Sequence, residues 1–251
     1  MSKKVYELLP GVLRNDIVKT ENSFIENLKY TCYTNEVRIL RHFIQEATPY
    51  IKIPSNDLSR WLEIAQHYGI PTRLLDWTEN PLVALYFACR ENKECDAQIW
   101  LLHRMNYYEE WKEQEKNMKI KEIVNNLLNG SWLDVKYPII YTPYYFDSRM
   151  SAQSSCFMLW GTDYRPFDKI VNSDCYLDYT TVDCDLNVAG TTDRNKFLFR
   201  IFVKSISKQK IIRQLDVLGI NEKTLFPGLD GIGKYIEGKY RFDYQEACDN
   251  F

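Results

Sequence analysis

The chain has 251 residues, 45% of them apolar, and carries 32 Lys+Arg against 34 Asp+Glu for a net charge of −2. That length and apolar fraction can bury a sizeable core, and the near balance of charge argues against a nucleic-acid footprint spread over the surface. No run approaches the roughly 18–20 apolar residues a membrane span needs, and no apolar stretch follows the basic start Met1–Lys4 as it would in a secretory signal, so a cytoplasmic protein without membrane contact is expected.

In chain order, residues 21–47 read as a helix, with Phe24, Leu28, Val37, Leu40, Phe43 and Ile44 at three- and four-residue spacing. A cap cluster at Ser55–Asp57 starts a second helix, which Gly69 and Pro71 stop near Tyr68. A polar turn holding Gln66, His67, Arg73, Asp76 and Thr78 then leads into an apolar helix, which Thr78–Pro81 opens with proline in its first turn. Ala97–Leu102 reads as a strand. Residues 105–130 read as an amphipathic helix pair inserted at the surface, with alternating lysines and glutamates as a solvated face. Tyr137–Tyr145 is punctuated by proline and reads as extended or irregular, Ser155–Trp160 as a strand, and 174–195 as a polar loop or weak hairpin. Phe197–Val203 is the clearest strand, rich in β-formers. Ser207–Leu218 is a helix closed by Gly219, and 224–236 opens with a turn and ends in a short helix. The sum is one α+β domain over 1–251, a small mixed or antiparallel sheet flanked by helices.

Seven cysteines are scattered at 32, 89, 95, 156, 175, 184 and 248. Cys89 and Cys95 form one pair without a second pair or a His-x3–5-His partner, so free thiols are expected and no metal site. The polar turn is a different matter. Buried, its Arg, Asp and Thr must find partners; lining a cleft, they converge on a ligand.

The segment Ala65–Ala88 (AQHYGIPTRLLDWTENPLVALYFA) closely resembles the signature of the FRG domain family. Leu9–Arg14, Arg149–Phe157 and Leu225–Gly231 resemble its other motifs in the same order, so the resemblance runs over roughly residues 5–236. Three departures stand out. The Phe/Tyr-Arg-Gly strand that names the family would fall just upstream of Val5 and is not in the sequence; Ser155 replaces a motif glycine; and Gly228 replaces the first Asp of the motif LFPDLDG.

By analogy, the resemblance implies an ADP-ribosyltransferase-like fold that takes NAD as substrate. Thr78 would then lie beneath the nicotinamide ribose at the end of a strand. Gln153 would be the late polar group, and Arg73 or Arg149 a bidentate pyrophosphate clamp. An oxocarbenium-like state is normally stabilised by a carboxylate, for which Asp76 and Asp230 are available, since Gln153 is neutral. Gln66, His67, Trp77 and Asn80 complete the cofactor-binding set. Each residue has a plainer reading that stays open: a buried Arg73–Asp76 ion pair, Thr78 as a helix cap, Trp77 as core, His67 as a helix C-terminal residue, Gln153 satisfying backbone groups, and Asp230 as a turn residue. Two functions follow. One is an NAD-consuming or ADP-ribosyl-transferring toxin or phage-defence effector of a bacterial system. The other is a non-catalytic regulatory module that holds a nucleotide or a protein partner.

Overall fold

A computed structural model describes residues 7–14, 25–51, 58–110, 120–128, 135–171, 176–179 and 197–249. In order these form helix α1 (Gly11–Arg14), α2 (Ile25–Ala47), a 3-10 turn (Thr48–Tyr50), α3 (Leu58–His67), β1 (Leu74–Thr78), α4 (Pro81–Arg90), β2 (Ala97–Leu102), α5 (Arg104–Glu110) and α6 (Ile120–Leu128). The second half gives β3 (Ile139–Tyr141), α7 (Ser148–Ala152), β4 (Ser155–Leu159), α8 (Phe167–Ile170), β5 (Tyr176–Tyr179), β6 (Leu198–Val203), α9 (Ser205–Val217), α10 (Glu222–Leu225) and α11 (Leu229–Asp249). The α+β expectation of small antiparallel sheets among helices holds.

The chain divides into two compact units. The first takes residues 1–76, 103–141 and 157–176, and the second 77–102, 142–156 and 177–251. In the first, α3 turns Trp61, Leu62, Ile64 and Ala65 inward, and Leu62 and Ala65 have no exposed surface. This face packs against α2 and α6. Burying a side chain of Leu or Ile size contributes about 1.5–3 kcal/mol. Tyr107 of α5 and Ile123 and Val124 of α6 are also buried, the apolar side expected of the amphipathic 105–130 segment. Residues 111–119 lie outside the described part.

β4 is the central strand of the order β1-β4-β3. A central strand is covered on both edges and, here, on both faces, which is why Cys156–Leu159 reads as a continuous apolar run. It pairs antiparallel with β3 from Ile139↔Leu159 to Tyr141↔Phe157. The residues expected to form a polar turn between two helices instead include a strand, β1. Its Leu74 and Leu75 are buried, while Asp76 is exposed. At only five residues, without clean alternation, β1 takes its identity from β4 and not from its own pattern.

In the second unit β2 and β6 pair antiparallel from Ala97↔Val203 to Leu102↔Leu198, in a sheet of order β2-β6-β5. α4 packs on β2 and α9, and Val83, Tyr86, Leu215 and Leu225 close a small apolar cluster. Asn80 is the N-cap of α4: its side chain accepts from the Leu82 N–H at 2.9 Å, so the cap is Asn80 and not Thr78. Where a short terminal helix was expected, α11 runs for 21 residues. The loop expected over 174–195 falls mainly outside the described residues, apart from β5.

Candidate functional site

Arg73, just before β1, is 3% exposed. Its Nε donates to both carboxylate oxygens of Glu36 at 2.9 Å, its Nη2 to Glu36 Oε2 at 2.5 Å, and its Nη1 to the Trp160 carbonyl at 3.1 Å. The Arg73 N–H also reaches Glu36 at 3.2 Å, and its carbonyl accepts from the Trp160 N–H at 3.0 Å. Burial works against the charge, but Glu36 and then Tyr164 outweigh it and hold the guanidinium charged, its pKa above the ordinary arginine value. The ion-pair reading is thus realised with a different partner: Glu36 on α2, where the sequence suggested Asp76. A ligand clamp at Arg73 would require displacing this carboxylate.

Asp76 instead accepts from Gln66 Nε2 at 2.9 Å. The Gln66 amide oxygen takes the Thr72 hydroxyl at 2.6 Å, and the Thr72 oxygen accepts from the Leu74 N–H at 3.1 Å. This chain ties the end of α3 to the start of β1. Gly69, with φ +79°, closes α3 in the left-handed region that glycine adopts without penalty. His67 sits in the last turn of α3 with its ring edge-on to Tyr68, centroids 5.1 Å apart. Gln66, His67, Arg73 and Asp76 therefore all belong to the first unit.

The second unit holds the other candidates. The Thr78 hydroxyl donates to the Gln153 carbonyl at 2.7 Å and accepts from the Asn80 N–H at 3.1 Å. The Glu79 N–H donates to the Ser154 carbonyl at 3.0 Å. Gln153 follows α7 as its C-cap, and its side-chain nitrogen donates to the Leu225 carbonyl at 2.9 Å. Thr78, Asn80 and Gln153 are thus brought together. Trp77 is half-buried, and its buried Nε1 has no hydrogen-bond partner. Asp230 is exposed in the first turn of α11, where a carboxylate favours the helix dipole.

Two motif departures find a backbone explanation. Ser155 lies within β4 and is not among the positive-φ residues; the left-handed residue at this turn is Ser154, φ 47°. Gly228 has φ +134°, a conformation that suits glycine better than the Asp it replaces.

Several residues that carry this site were not visible as a set in the sequence. The exposed Arg149 guanidinium stacks on the Phe226 ring with its carbon 4.5 Å from the centroid, and Arg90 does so at 4.7 Å. Phe87 meets the same ring edge-on at 6.1 Å. Arg90 is bound to Glu222 at 3.1 Å, and Glu222 also accepts from the Tyr86 hydroxyl. Burial, then Glu222, push the Tyr86 phenol well above its ordinary value. Phe226 lies inside the Leu225–Gly231 motif, which was the available signal. Its two cationic neighbours come from α4 and α7, at distances in sequence that no spacing rule reaches.

Residues 1–97 match the FRG domain family model. The FRG match takes in the Ala65–Ala88 signature and bears out the resemblance read from it. It ends where β2 begins, so α4 and β1 lie inside it and Arg149, Gln153 and Phe226 beyond it. No curated protein and no solved structure matches the chain. Among the described residues no group of three His, Cys, Asp or Glu is placed to hold a metal ion, and no helix is long and apolar enough to cross a membrane.

Proposed function

We propose that the second unit of this FRG-domain chain binds an NAD-type dinucleotide beside Arg149, Phe226, Gln153 and Thr78, and that the protein acts on it as an ADP-ribosyltransferase-like toxin or defence effector. The observation that carries this reading is the stack of two guanidiniums on one phenylalanine ring. Arg149 and Arg90 share Phe226, while the carboxylate of Glu222 is bound to Arg90. Arg90 is already met by Glu222, whereas the exposed Arg149 beside the ring has N–H groups suited to phosphate oxygens. A pyrophosphate is a ligand of that kind. The Gln153 side-chain nitrogen is fixed on Leu225, which leaves the amide oxygen as an acceptor suited to a ribose hydroxyl. Thr78, anchored on the Gln153 carbonyl, stands at the strand end where the resemblance puts the nicotinamide ribose.

Calorimetric titration with NAD and ADP-ribose, together with an assay for nicotinamide release, tests this. Arg149→Ala should weaken binding at least about tenfold, or roughly 1.4 kcal/mol, with an unchanged thermal midpoint. A wild-type protein that binds neither compound overturns the reading. One observation favours a second reading, a regulatory module that holds the nucleotide without turnover: Gln153 is neutral, and Asp76 Oδ2 accepts from Gln66. Binding of NAD without nicotinamide release would decide for that module.

A further inference from the structure

We propose that Glu222 sets the charge selectivity of the site beside Phe226: it admits a phosphate diester, such as the pyrophosphate of ADP-ribose, and disfavours nucleotides that end in a free phosphate. This deepens the NAD reading above and rests on it. The Phe226 ring carries two guanidiniums, Arg149 at 4.5 Å and Arg90 at 4.7 Å from its centroid, within about one Debye length of each other at about 0.1 M salt. The two are not equivalent. Arg90 Nη2 lies 3.1 Å from Glu222 Oε1, and its Nε faces the exposed Glu91 carboxylate at 3.9 Å. Among the described residues no carboxylate pairs with Arg149. One guanidinium is therefore left for a ligand.

A carboxylate on an arginine can be a placeholder that an incoming phosphate displaces. Glu222 is held too firmly for that. It opens α10, whose start is fixed by a capping box: the Asn221 side chain accepts from the Thr224 N–H, and the Thr224 hydroxyl from the Asn221 N–H, each at 3.1 Å. Its Oε2 accepts from the Tyr86 hydroxyl, so both carboxylate oxygens are engaged. Tyr86 is 5% exposed, and pulling Glu222 away would strand a buried hydroxyl. All these groups belong to the second unit, in which α7, the helix of Arg149, packs against α10. The negative charge is thus a permanent part of the site.

Charge then sorts the phosphates. Each phosphate of a pyrophosphate diester carries one negative charge, and a guanidinium edge can meet it with two parallel N–H bonds. A terminal phosphate carries nearly two at neutral pH, its second pKa lying near 6. No guanidinium remains to meet that extra charge, because Glu222 holds Arg90, and the Glu222 carboxylate repels it. Setting like charge against the wrong ligand is one of the two ways a site gains specificity.

The test is calorimetric titration of the full chain with ADP-ribose, ADP and ATP, without divalent cations. The wild type should hold ADP-ribose at least about tenfold more tightly than ADP or ATP. Glu222→Gln keeps an acceptor for the Tyr86 hydroxyl and removes the charge. It should tighten ADP and ATP more than ADP-ribose, narrowing that ratio by at least about threefold. Contacts to the second ribose favour ADP-ribose in both proteins and cancel from the change in ratio. Arg90→Met leaves Glu222 uncompensated and should widen the ratio, which keeps the test decisive if Glu222→Gln folds poorly. Equal wild-type affinity for ADP-ribose and ATP overturns the assignment and leaves the NAD reading standing. So does a Glu222→Gln protein that weakens all three ligands alike, the mark of a structural role. A wild type that binds neither NAD nor ADP-ribose ends the NAD reading and this role with it.

Discussion

At the level of single residues, the buried pair Arg73–Glu36 shows why a polar residue in a signature need not touch a ligand. Both side chains are nearly sealed, at 3% and 2% exposure. Removing one partner leaves the other charge buried without compensation, which typically costs about 3–5 kcal/mol. Glu36→Gln is therefore expected to lower unfolding stability by an amount of that order in urea titrations, whatever it does to ligand binding. Tyr86 and Tyr141 make a second prediction. Burial is the main cause that raises both phenols above the ordinary value of 10.0, aided by Glu222 and Glu63 respectively. A group raised in the folded state contributes stability that is complete below its unfolded value and is lost as pH climbs toward the folded one. Thermal midpoints measured from pH 8 upward should hold steady to about pH 10 and then decline, and Tyr86→Phe should flatten part of that decline.

For the elements, the sequence was most informative where local chemistry decides the structure. α4 was legible because Asn80 and Pro81 form a helix start independent of anything else in the chain, and β6 because its β-formers run unbroken. β1 was not, since its strand character depends on pairing with β4, far along the chain. α11 was misjudged because Gly231, Gly233 and Gly238 each cost about 1 kcal/mol relative to alanine within a helix, and the pattern therefore reads as punctuation. Gly231 has its own reason to be there. A Cβ at this position would lie 1.9 Å from the Phe226 carbonyl oxygen, so only glycine lets α11 approach the end of α10. Gly231→Ala should cost about 1–3 kcal/mol or more and disturb the ring that Arg149 rests on. A lowered thermal midpoint together with weakened ADP-ribose binding would record both effects. Asn80→Ala, by comparison, removes one cap and should cost about 1 kcal/mol. The site divides along the same line: Thr78, Asn80 and Gln153 were legible from a motif, whereas Phe226 and the two arginines over its ring come from three separate elements.

For the molecule as a whole, the boundary of the family match and the boundaries of the fold do not coincide. The match stops at residue 97, the first residue of β2, whose partner β6 begins at Leu198. β1 lies inside the match and its partner β4 outside it. A fragment of residues 1–97 should accordingly lack stable tertiary structure, with little near-ultraviolet dichroism and no cooperative melt. A sharp melt from that fragment would show that its helices suffice without either sheet. The two-unit division was not legible for a related reason. Neither unit is a continuous stretch, and β1 and β4 each contribute residues to both.

That interleaving bears on how the protein is made. β4 leaves the ribosome about 80 residues after β1, which at roughly 5–20 residues per second is a wait of about 4–16 seconds. Through that interval the edge of β1 meant for β4 has no native partner, and an uncovered strand edge is a template for wrong pairing. Synthesis of this chain should therefore be more sensitive to nascent-chain holdases, and to pauses between codons 79 and 154, than its balanced charge and length alone would suggest.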